Sequence, residues 1–315
     1  MTAPRICWAV HDGRAGIRNQ ALGLAEAVAR AAPLRIEERV VATSRGWAGL
    51  AERMGFSHDP ALNPPWPNLW IACGRRTIPA SAAMRRWSRG QTFVVQVQDP
   101  RIDPKKFDLV IPPEHDGLLG ANVAPILGSP NRVSAELLNA ARVQFADRLA
   151  ALPRPRAAVL VGGASKRHRL DAACQSALSE ALDGLRAQGV SLMITASRRT
   201  PEPVRAMLAA RADDPGVWVY DGEGDNPYFA FLAAADAVLV TRDSTNMLTE
   251  AATAGKPVLT LPVAGHDGKF ARLYRALQQR DYIRPFAGRL ETWEVVPLGE
   301  TARAAREIID RSSIL

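Results

Sequence analysis

Residues 236–262 read DAVLVTRDSTNMLTEAATAGKPVLTLP, and this stretch decides the fold class of the chain. The apolar run at 237–241 predicts a buried strand, and 258–261 predicts a second one. Between them, residues 246–254 have the composition of a helix, which a Gly-Lys-Pro sequence ends. A strand, a helix and a strand in such close succession form a βαβ unit, in which the two strands lie parallel.

The same alternation of strand and helix runs along almost the whole chain. Further strands are predicted at 6–10, 35–42, 69–72, 92–97, 109–111, 157–161, 191–195, 217–220 and 282–284. Further helices are predicted at 19–30, 47–55, 78–87, 202–211, 228–235, 268–279 and 300–310, and one more follows Gly163 directly and runs to about Leu185. This pattern predicts an α/β protein with two doubly wound, Rossmann-like domains facing a cleft.

A proline-rich segment, Leu152–Arg156, marks the boundary between the two predicted domains. Its two prolines exclude both a helix and a central strand, so it reads as a linker. We therefore predict an N-terminal α/β domain at 1–152 and a C-terminal one at 153–298, followed by a terminal segment at 299–315.

The composition is that of an ordinary globular protein. Of 315 residues, 47% are hydrophobic and 23% are charged, which excludes low-complexity disorder and collagen. The three cysteines form no CxxC pair, which indicates a reducing compartment and argues against a disulfide scaffold or structural zinc.

No apolar run reaches the roughly 18–20 residues that cross a bilayer, and residues 1–13 read as a strand and its turn rather than a signal peptide. We expect a cytoplasmic protein with no metal and no cofactor.

Basic residues are concentrated in the first half of the chain. Residues 1–153 hold 19 basic and 13 acidic residues (19 − 13 = +6), and residues 154–315 hold 21 and 19 (21 − 19 = +2). A basic half favours an anionic partner. The segments 45–56 and 84–89 mix basic and apolar residues, as surfaces that rest on anionic membranes do; amphipathic helices packed on the sheet are the alternative. No nucleic-acid-binding module is recognisable, so nucleic acid is not an expected partner.

The loops after predicted strands are the candidate sites, because ligands of open parallel sheets bind beyond the C-terminal strand ends. After the strand at 157–161 come Gly162 and Gly163, which allow a close backbone approach, and a helix start that offers free N–H donors. Such a loop suits a diphosphate. The alternative is a tight strand–helix turn, which also favours glycine.

The strand at 237–241 delivers a polar run to the start of a helix, namely Arg242, Asp243, Ser244, Thr245 and Asn246. Glu250 lies four residues after Asn246 and therefore shares its helix face. A glutamate at a buried edge there would accept hydrogen bonds from both hydroxyls of a ribose. The alternatives are an N-cap at Asp243 or Ser244 and a solvated surface glutamate.

Two loops of the N-terminal half carry titratable groups at strand ends. His11 and Asp12 begin the segment HDGRAG and are candidate general bases, as are Glu114 and His115 after the strand at 109–111. Gln98 ends the neighbouring strand and adds a polar contact. The alternatives are a hydrogen-bonded loop histidine and a proline-rigid surface loop.

Motifs of other site classes are missing from the sequence. It contains no GxGxxG in the first turn, no P-loop, no HExxH, no GxSxG and no DxD pair to hold a metal-bound sugar diphosphate. A dinucleotide-binding site is therefore the weaker interpretation.

In their order along the chain, these loops resemble those of the GT-B glycosyltransferases, above all the enzyme that adds N-acetylglucosamine to the undecaprenyl-linked peptidoglycan precursor. Val161–Ser165 is similar to the Gly-Gly-Ser-type loop of that family. The likeness extends to a Ser-containing turn and a helix with a ribose-binding glutamate, where the matching residues are Ser244, Glu250, Ala251, Gly255 and Pro257.

Over its full length the chain also resembles the family named after a plant Elm-type mitochondrial fission factor, which has many bacterial members. The segments HDGRAGIRNQALGLAEA at 11–27, DLVIPPEHDG at 108–117 and Asn131–Val133 carry that likeness. Two loops depart from the transferase pattern. Ala-Ser-Lys-Arg-His follows Gly163, and His266–Phe270 replaces a glutamine-containing stretch.

The resemblance implies a metal-independent, inverting transfer of a sugar from a nucleoside-diphosphate sugar to a lipid-linked or cell-envelope acceptor, by a protein peripheral on the inner face of the membrane. The C-terminal domain would bind the donor, the N-terminal domain the acceptor, and the helix within 299–315 would cross back to the N-terminal domain. The implied donor-binding residues are Gly162, Gly163, Ala164, Ser165, Arg242, Ser244, Thr245, Asn246 and Glu250. The implied catalytic residues are Asp12 and His11, then Glu114 and His115, and the acceptor-side loop comprises Gly13, Arg14, Gly16, Asn19 and Gln98.

Two alternatives stay open. One is a nucleotide-sugar 2-epimerase on the same fold, which needs acid and base groups on both faces of the sugar. The other is a non-catalytic, GT-B-derived scaffold at a membrane, as the fission-factor likeness implies.

Overall fold

A computed structural model describes residues 4–41, 60–165 and 167–312. The chain divides into two compact units: an N-terminal unit of residues 1–132 and 299–315, and a C-terminal unit of residues 133–298. The helix predicted at 47–55 and the basic segment at 45–56 lie outside the described residues.

The N-terminal unit is built on a parallel sheet of five strands. They are β1 (Arg5–His11), β2 (Leu34–Val40), β3 (Leu69–Cys73), β4 (Phe93–Val97) and β5 (Leu109–Ile111), in the order β2-β1-β3-β4-β5. In register, Cys7 lies opposite Leu69 and Ala9 opposite Ile71. The strand order reverses between β1 and β3, which makes the ends of these two strands the switch point of the unit.

Helices cover both faces of this sheet. On one face α1 (Ala15–Ala31) buries Leu24 and Val28 against β1 and β3, and on the other α2 (Ile78–Trp87) packs Met84 among tryptophans. The terminal helix α10 (Glu300–Arg311) packs on α1 within this unit. Its first turn is fixed to the loop that follows β5, because the Leu127 amide donates to Glu300 Oε2 at 2.9 Å.

The C-terminal unit is built on a parallel sheet of six strands. They are β6 (Arg156–Val161), β8 (Ser191–Ala196), β9 (Val217–Val219), β10 (Ala237–Thr241), β11 (Val258–Leu261) and β13 (Ile283–Pro285), in the order β13-β11-β10-β6-β8-β9. By their appearance along the chain this is 3-2-1-4-5-6, the dinucleotide-fold order, with its switch point between β6 and β10. Apolar side chains of β6, β8 and β10 fill the core.

The helices of this unit are α3 (Ala135–Gln144), α4 (Ala146–Ala150), α5 (Ala172–Ala187), α6 (Glu202–Ala209), α7 (Tyr228–Ala234), α8 (Thr245–Thr253) and α9 (Phe270–Gln279). The unit begins at Val133, about twenty residues before the predicted boundary at 152/153. The reason is that α3 packs on α7, and the ring centroids of Phe145 and Trp218 lie 5.7 Å apart. The proline segment is therefore an internal connection, and Arg156 already belongs to a strand.

The loop after β6 differs from the prediction. The helix expected directly after Gly163 begins at Ala172, where the carboxylate of Asp171 caps the Cys174 amide at 3.0 Å. The intervening chain forms β7 (His168–Arg169), which pairs antiparallel with β12 (Ala264–Gly265). The prediction was wrong here because the pairing partner lies almost one hundred residues away, beyond the reach of local pattern.

Candidate functional site

The candidate site of the C-terminal unit lies at its switch point. The structure brings together the two loops that the sequence singled out, the one after β6 and the one after β10. The Gly162 amide donates to Thr241 Oγ1 at 2.7 Å, and the Gly163 amide donates to Asp243 Oδ2 at 2.7 Å. Loops that are about 80 residues apart in sequence are thus locked to each other.

The Gly163, Ala164 and Ser165 amides, which were expected to bind a diphosphate, all have protein acceptors, as does the Gly162 amide. Besides the two glycine amides, the Ala164 amide donates to the Arg199 carbonyl at 3.2 Å, and the Ser165 amide donates to the His168 carbonyl at 3.0 Å. No helix starts at this loop, since α5 begins at Ala172. In this structure the N–H groups that were expected to bind a diphosphate hold the loop in place.

Asp243 occupies the space above the glycine loop. A Cβ built on Gly162 would lie 2.1 Å from Asp243 Oδ2, and one on Gly163 would lie 2.3 Å from the carbonyl carbon of Arg199. Internal packing alone thus requires glycine at both positions. Asp243 is 8% exposed and its Oδ1 has no hydrogen-bond partner, and burial raises the pKa of this carboxyl.

Glu250 lies on α8, the helix that follows Asp243, and is buried rather than solvated. It is 8% exposed, and the hydroxyl of Tyr228 donates a hydrogen bond to its Oε2. Burial raises the pKa of Glu250 to about 7, against the lowering effect of that hydrogen bond. Burial and the nearby Glu250 charge also raise the pKa of Tyr228. The partner Tyr228 was missed because nothing local in the sequence links it to Glu250.

The remaining predicted donor-side residues surround the start of α8. Ser244 is the N-cap residue, 9% exposed, and its side chain makes no capping hydrogen bond. Thr245 and Asn246 form the first turn of the helix. Arg242 is paired, because it donates to Asp267 Oδ2 at 2.7 Å and its guanidinium lies 4.6 Å from the ring centroid of Tyr274.

In the N-terminal unit, His11 has both ring nitrogens engaged. The Gly13 amide donates to His11 Nδ1 at 3.0 Å, so Nε2 carries the proton and donates to Glu38 Oε1 at 2.9 Å. His11 is 1% exposed. It is therefore a buried, hydrogen-bonded histidine at the end of β1, and the geometry does not favour the predicted role as a general base.

Asp12 lies next to the switch point of the same sheet. Its carboxylate accepts hydrogen bonds from Arg14 Nε at 2.9 and 3.1 Å. Burial acts to raise the pKa of Asp12, but the hydrogen bonds and charge of Arg14 and the charge of Arg76 lower it overall. A Cβ on Gly74, at the end of β3, would lie 3.3 Å from Asp12 Oδ2, so the two strand ends meet here.

The acceptor-side residues gather around the start of α1. This helix begins at Ala15, four residues before the predicted start, and so includes Gly16 and Asn19. Gln98, which adopts a positive φ of 73°, donates through Nε2 to Gln20 Oε1 at 2.9 Å. The end of β4 is thereby tied to α1, close to the ends of β1 and β3.

Glu114 and His115 lie apart from Asp12. They belong to a 3₁₀ turn at Glu114–Asp116, just after β5. Because β3 and β4 lie between β1 and β5, and neighbouring strands are about 4.8 Å apart, the two loops start roughly 14 Å from each other. The two predicted pairs of candidate bases, one after β1 and one after β5, therefore lie at separate positions along the edge of the sheet.

Among residues 4–41, 60–165 and 167–312, no group of three or more His, Cys, Asp or Glu side chains is arranged to hold a metal ion. Within the same described part of the chain, every helix falls short of the length and apolar character needed to cross a membrane.

The two parallel sheets, each with a switch point at its C-terminal edge, define the class: this is a protein of GT-B type with Rossmann-like units, as its match to solved structures confirms. A chain from Listeria monocytogenes assigned to the UDP-N-acetylglucosamine 2-epimerases is 12% identical, with a TM-score of 0.55, covering 99% of this chain and 90% of its own. The S. aureus protein MnaA, solved with UDP, is 13% identical with a TM-score of 0.51, covering 97% and 88%. MurG of Acinetobacter baumannii is 15% identical with a TM-score of 0.47, covering 99% and 91%. At identities this low, the first two likenesses, with TM-scores above 0.5, establish the fold alone.

The chain belongs to the mitochondrial fission ELM1 family, whose model matches residues 15–312. The mitochondrial fission protein ELM1 of Arabidopsis thaliana is 32% identical over 269 residues. That match covers 77% of this chain and 63% of the plant protein, so the chain spans less than two thirds of that relative's length. The predicted family and the GT-B-like fold class are confirmed.

Proposed function

We propose that this protein is a metal-independent glycosyltransferase that takes a nucleoside-diphosphate sugar at the switch point of its C-terminal unit. One observation carries the proposal: the β6/β10 crevice of a 3-2-1-4-5-6 sheet adjoins the start of α8, whose N-cap is Ser244 and whose second turn carries Glu250. In such sheets the crevice is where nucleotides bind. Two proteins with this fold have been solved with UDP and with UDP-GlcNAc bound, which supports the same class of ligand here.

Glu250 is the proposed ribose ligand. Its carboxylate accepts hydrogen bonds from two hydroxyls, and Tyr228 fixes one of its oxygens. A buried site that offers acceptors discriminates strongly in favour of ligands with matching donors, since an unpaired carboxylate there is costly.

Asp12 is the proposed base for the acceptor hydroxyl. Its lowered pKa keeps it ionised at neutral pH, and Arg14 orients it. His11 lacks a free nitrogen and ranks below it. The acceptor, a lipid-linked or envelope saccharide, would approach the N-terminal unit. The excess basic charge of the first half of the chain fits a protein that works against an anionic inner membrane face.

Calorimetric titration of the full chain with UDP, GDP, CMP and ADP, and with their common sugars, tests the proposal. We expect one nucleotide class to bind, and Glu250→Ala to abolish that binding while Glu180→Ala, at an exposed glutamate on α5, leaves it unchanged. At about 100 times its dissociation constant the ligand also adds roughly 2.7 kcal/mol to folding stability. Absence of binding by any of them, in folded protein, would sink the proposal.

A second candidate, a non-catalytic scaffold, is favoured by the filled glycine loop, where Asp243 and backbone carbonyls satisfy the amides. The Arabidopsis relative is named for mitochondrial fission rather than for a reaction. An epimerase on the same fold is the third. Proton NMR of the bound UDP sugar separates them, because an epimerase converts the donor without an acceptor, a transferase needs an acceptor, and a scaffold leaves it unchanged.

A further inference from the structure

Two side chains on the loop after β6 have a buried nitrogen atom without a hydrogen-bond partner. The atoms are Nη1 of Arg167 and Nε2 of His168. His168 is 2% exposed and belongs to β7. Buried polar atoms are almost always satisfied in native proteins, so the Arg167 donor lacks an acceptor, and His168 Nε2 lacks one as well when it carries the ring proton.

Both nitrogens lie against the same turn, Asp267–Gly268. His168 Nε2 is 3.6 Å from Asp267 Oδ1, which is too long for a hydrogen bond. A Cβ built on Gly268 would lie 2.7 Å from Arg167 Nη1. The other carboxylate oxygen of Asp267 already accepts a hydrogen bond from Arg242 at 2.7 Å. The negative charge of Asp267 is therefore balanced by Arg242 rather than by Arg167 or His168.

The backbone holds this arrangement in place. The β7–β12 pairing sets His168 opposite Gly265, which has a φ of +123°. A Cβ on Gly265 would lie 1.9 Å from the Arg167 carbonyl oxygen, so only glycine allows the two backbone segments to approach this closely. The donors therefore sit on a paired element rather than on a free loop.

An anion would supply the missing acceptor. Arg167 and Arg242 outnumber the one acidic group of the turn, Asp267, which already accepts from Arg242, and unsatisfied N–H donors match phosphate oxygens. The place is continuous with the switch point, since the Ser165 amide donates to the His168 carbonyl. The amides of the glycine loop are already occupied and cannot serve the same ligand.

We propose that Arg167 and His168 bind the diphosphate of the nucleotide, in place of the glycine-loop amides. This rests on the proposed function for the identity of the ligand. It assigns the phosphates to side chains of the β7 segment, while Glu250 holds the ribose.

Titration calorimetry of the full chain with inorganic pyrophosphate, UDP and uridine tests this. Wild-type protein should bind pyrophosphate, and Arg167→Met and His168→Gln should each weaken it at least tenfold. The control Arg289→Met removes an exposed arginine of the same unit and should change it less than twofold. In the two site variants the preference for UDP over uridine should collapse while uridine affinity stays constant. Circular dichroism and the Tm show that each variant is folded.

The outcomes separate the two proposals. If UDP binds through Glu250 but the Arg167 and His168 variants bind UDP and pyrophosphate as tightly as wild type, the phosphate assignment is overturned and the proposed function stands. If pyrophosphate binds through Arg167 and His168 but no nucleoside or nucleotide is preferred over it, the anion site stands and the nucleotide-sugar function falls. Failure of wild-type protein to bind pyrophosphate overturns the anion site.

Discussion

At the level of single residues, Glu250 and Asp243 are each 8% exposed, and burial raises the pKa of both carboxyls. Asp12 shows the opposite shift, because Arg14 more than compensates for its burial. Burial therefore favours the protonated form of these two carboxyls, whereas Arg14 favours the ionised form of Asp12. Burial and charged neighbours set this difference, which local sequence does not.

Glu250→Gln should stabilise the protein at alkaline pH. The folded pKa of about 7 lies above the ordinary value of 4.5, so the folded state holds the proton more tightly. The corresponding stability is fully present below pH 4.5 and is lost as the pH rises to 7, by about 3 kcal/mol over some 2.5 pH units. Gln carries no charge and keeps an acceptor for Tyr228. Urea unfolding at pH 5 and pH 8 measures this, and an equal effect of the substitution at both pH values contradicts it.

Gly162→Ala should destabilise the C-terminal unit through Asp243. The added methyl group would meet the carboxylate at 2.1 Å, and overpacking of this kind costs about 1–3 kcal/mol. In an Asp243→Ala background the space is free, so the substitution should be nearly neutral. A double-mutant cycle in urea should give a coupling energy of about 1–3 kcal/mol; additive effects would show that Asp243 does not fill this space.

At the level of helices and strands, α1 is held by a close backbone approach. Gly23 of α1 packs against the backbone at Asn131, near the end of the first part of the N-terminal unit. A Cβ built on Gly23 would lie 2.3 Å from the Asn131 carbonyl. Gly184 on α5, by contrast, has open space around its Cβ position. A side chain would thus clash with the backbone at Gly23 but not at Gly184, a difference that the local sequence does not reveal.

Gly23→Ala and Gly184→Ala should consequently change stability in opposite directions. The first forces α1 away from Asn131 and should cost at least about 1–3 kcal/mol. The second replaces a flexible helical residue with the best helix former and should gain about 0.5–1 kcal/mol. Thermal unfolding of both variants measures the two effects, and a gain in both would show that α1 has room to adjust.

Over the whole molecule, the chain leaves the N-terminal unit at Arg132 and returns to it at Gly299. The returning helix α10 contributes Ala304, Ala305 and Ile308 to the core that α1 forms with the sheet. The C-terminal unit is thus an insertion between the two parts of the N-terminal one, and the stability of the latter depends on the last residues of the described chain.

Ile308→Ala should destabilise the N-terminal unit by about 2–5 kcal/mol, since Ile308 is fully buried. Nucleotide binding by the C-terminal unit should be unchanged. Differential scanning calorimetry with and without nucleotide identifies the affected unit, because the ligand raises only the transition of the unit that binds it. A loss of nucleotide affinity in this variant would contradict the assignment.

Most of the architecture could be predicted from the amino-acid sequence, because apolar strands and glycine-ended helices are local signals. For four elements the predicted bounds are identical to those in the structure: the helix at Ile78–Trp87 and the strands at Leu109–Ile111, Ala237–Thr241 and Val258–Leu261. The two loops at the β6/β10 switch point were also predicted as candidate sites, because ligands of open parallel sheets bind beyond the C-terminal strand ends.

The contents of those loops depend on tertiary contacts. The acceptors of the glycine amides, the Tyr228–Glu250 hydrogen bond, the β7–β12 pair and the contacts that set the domain boundary all join residues distant in sequence. Such pairings form only when the two units pack their own elements together, and no local pattern encodes them.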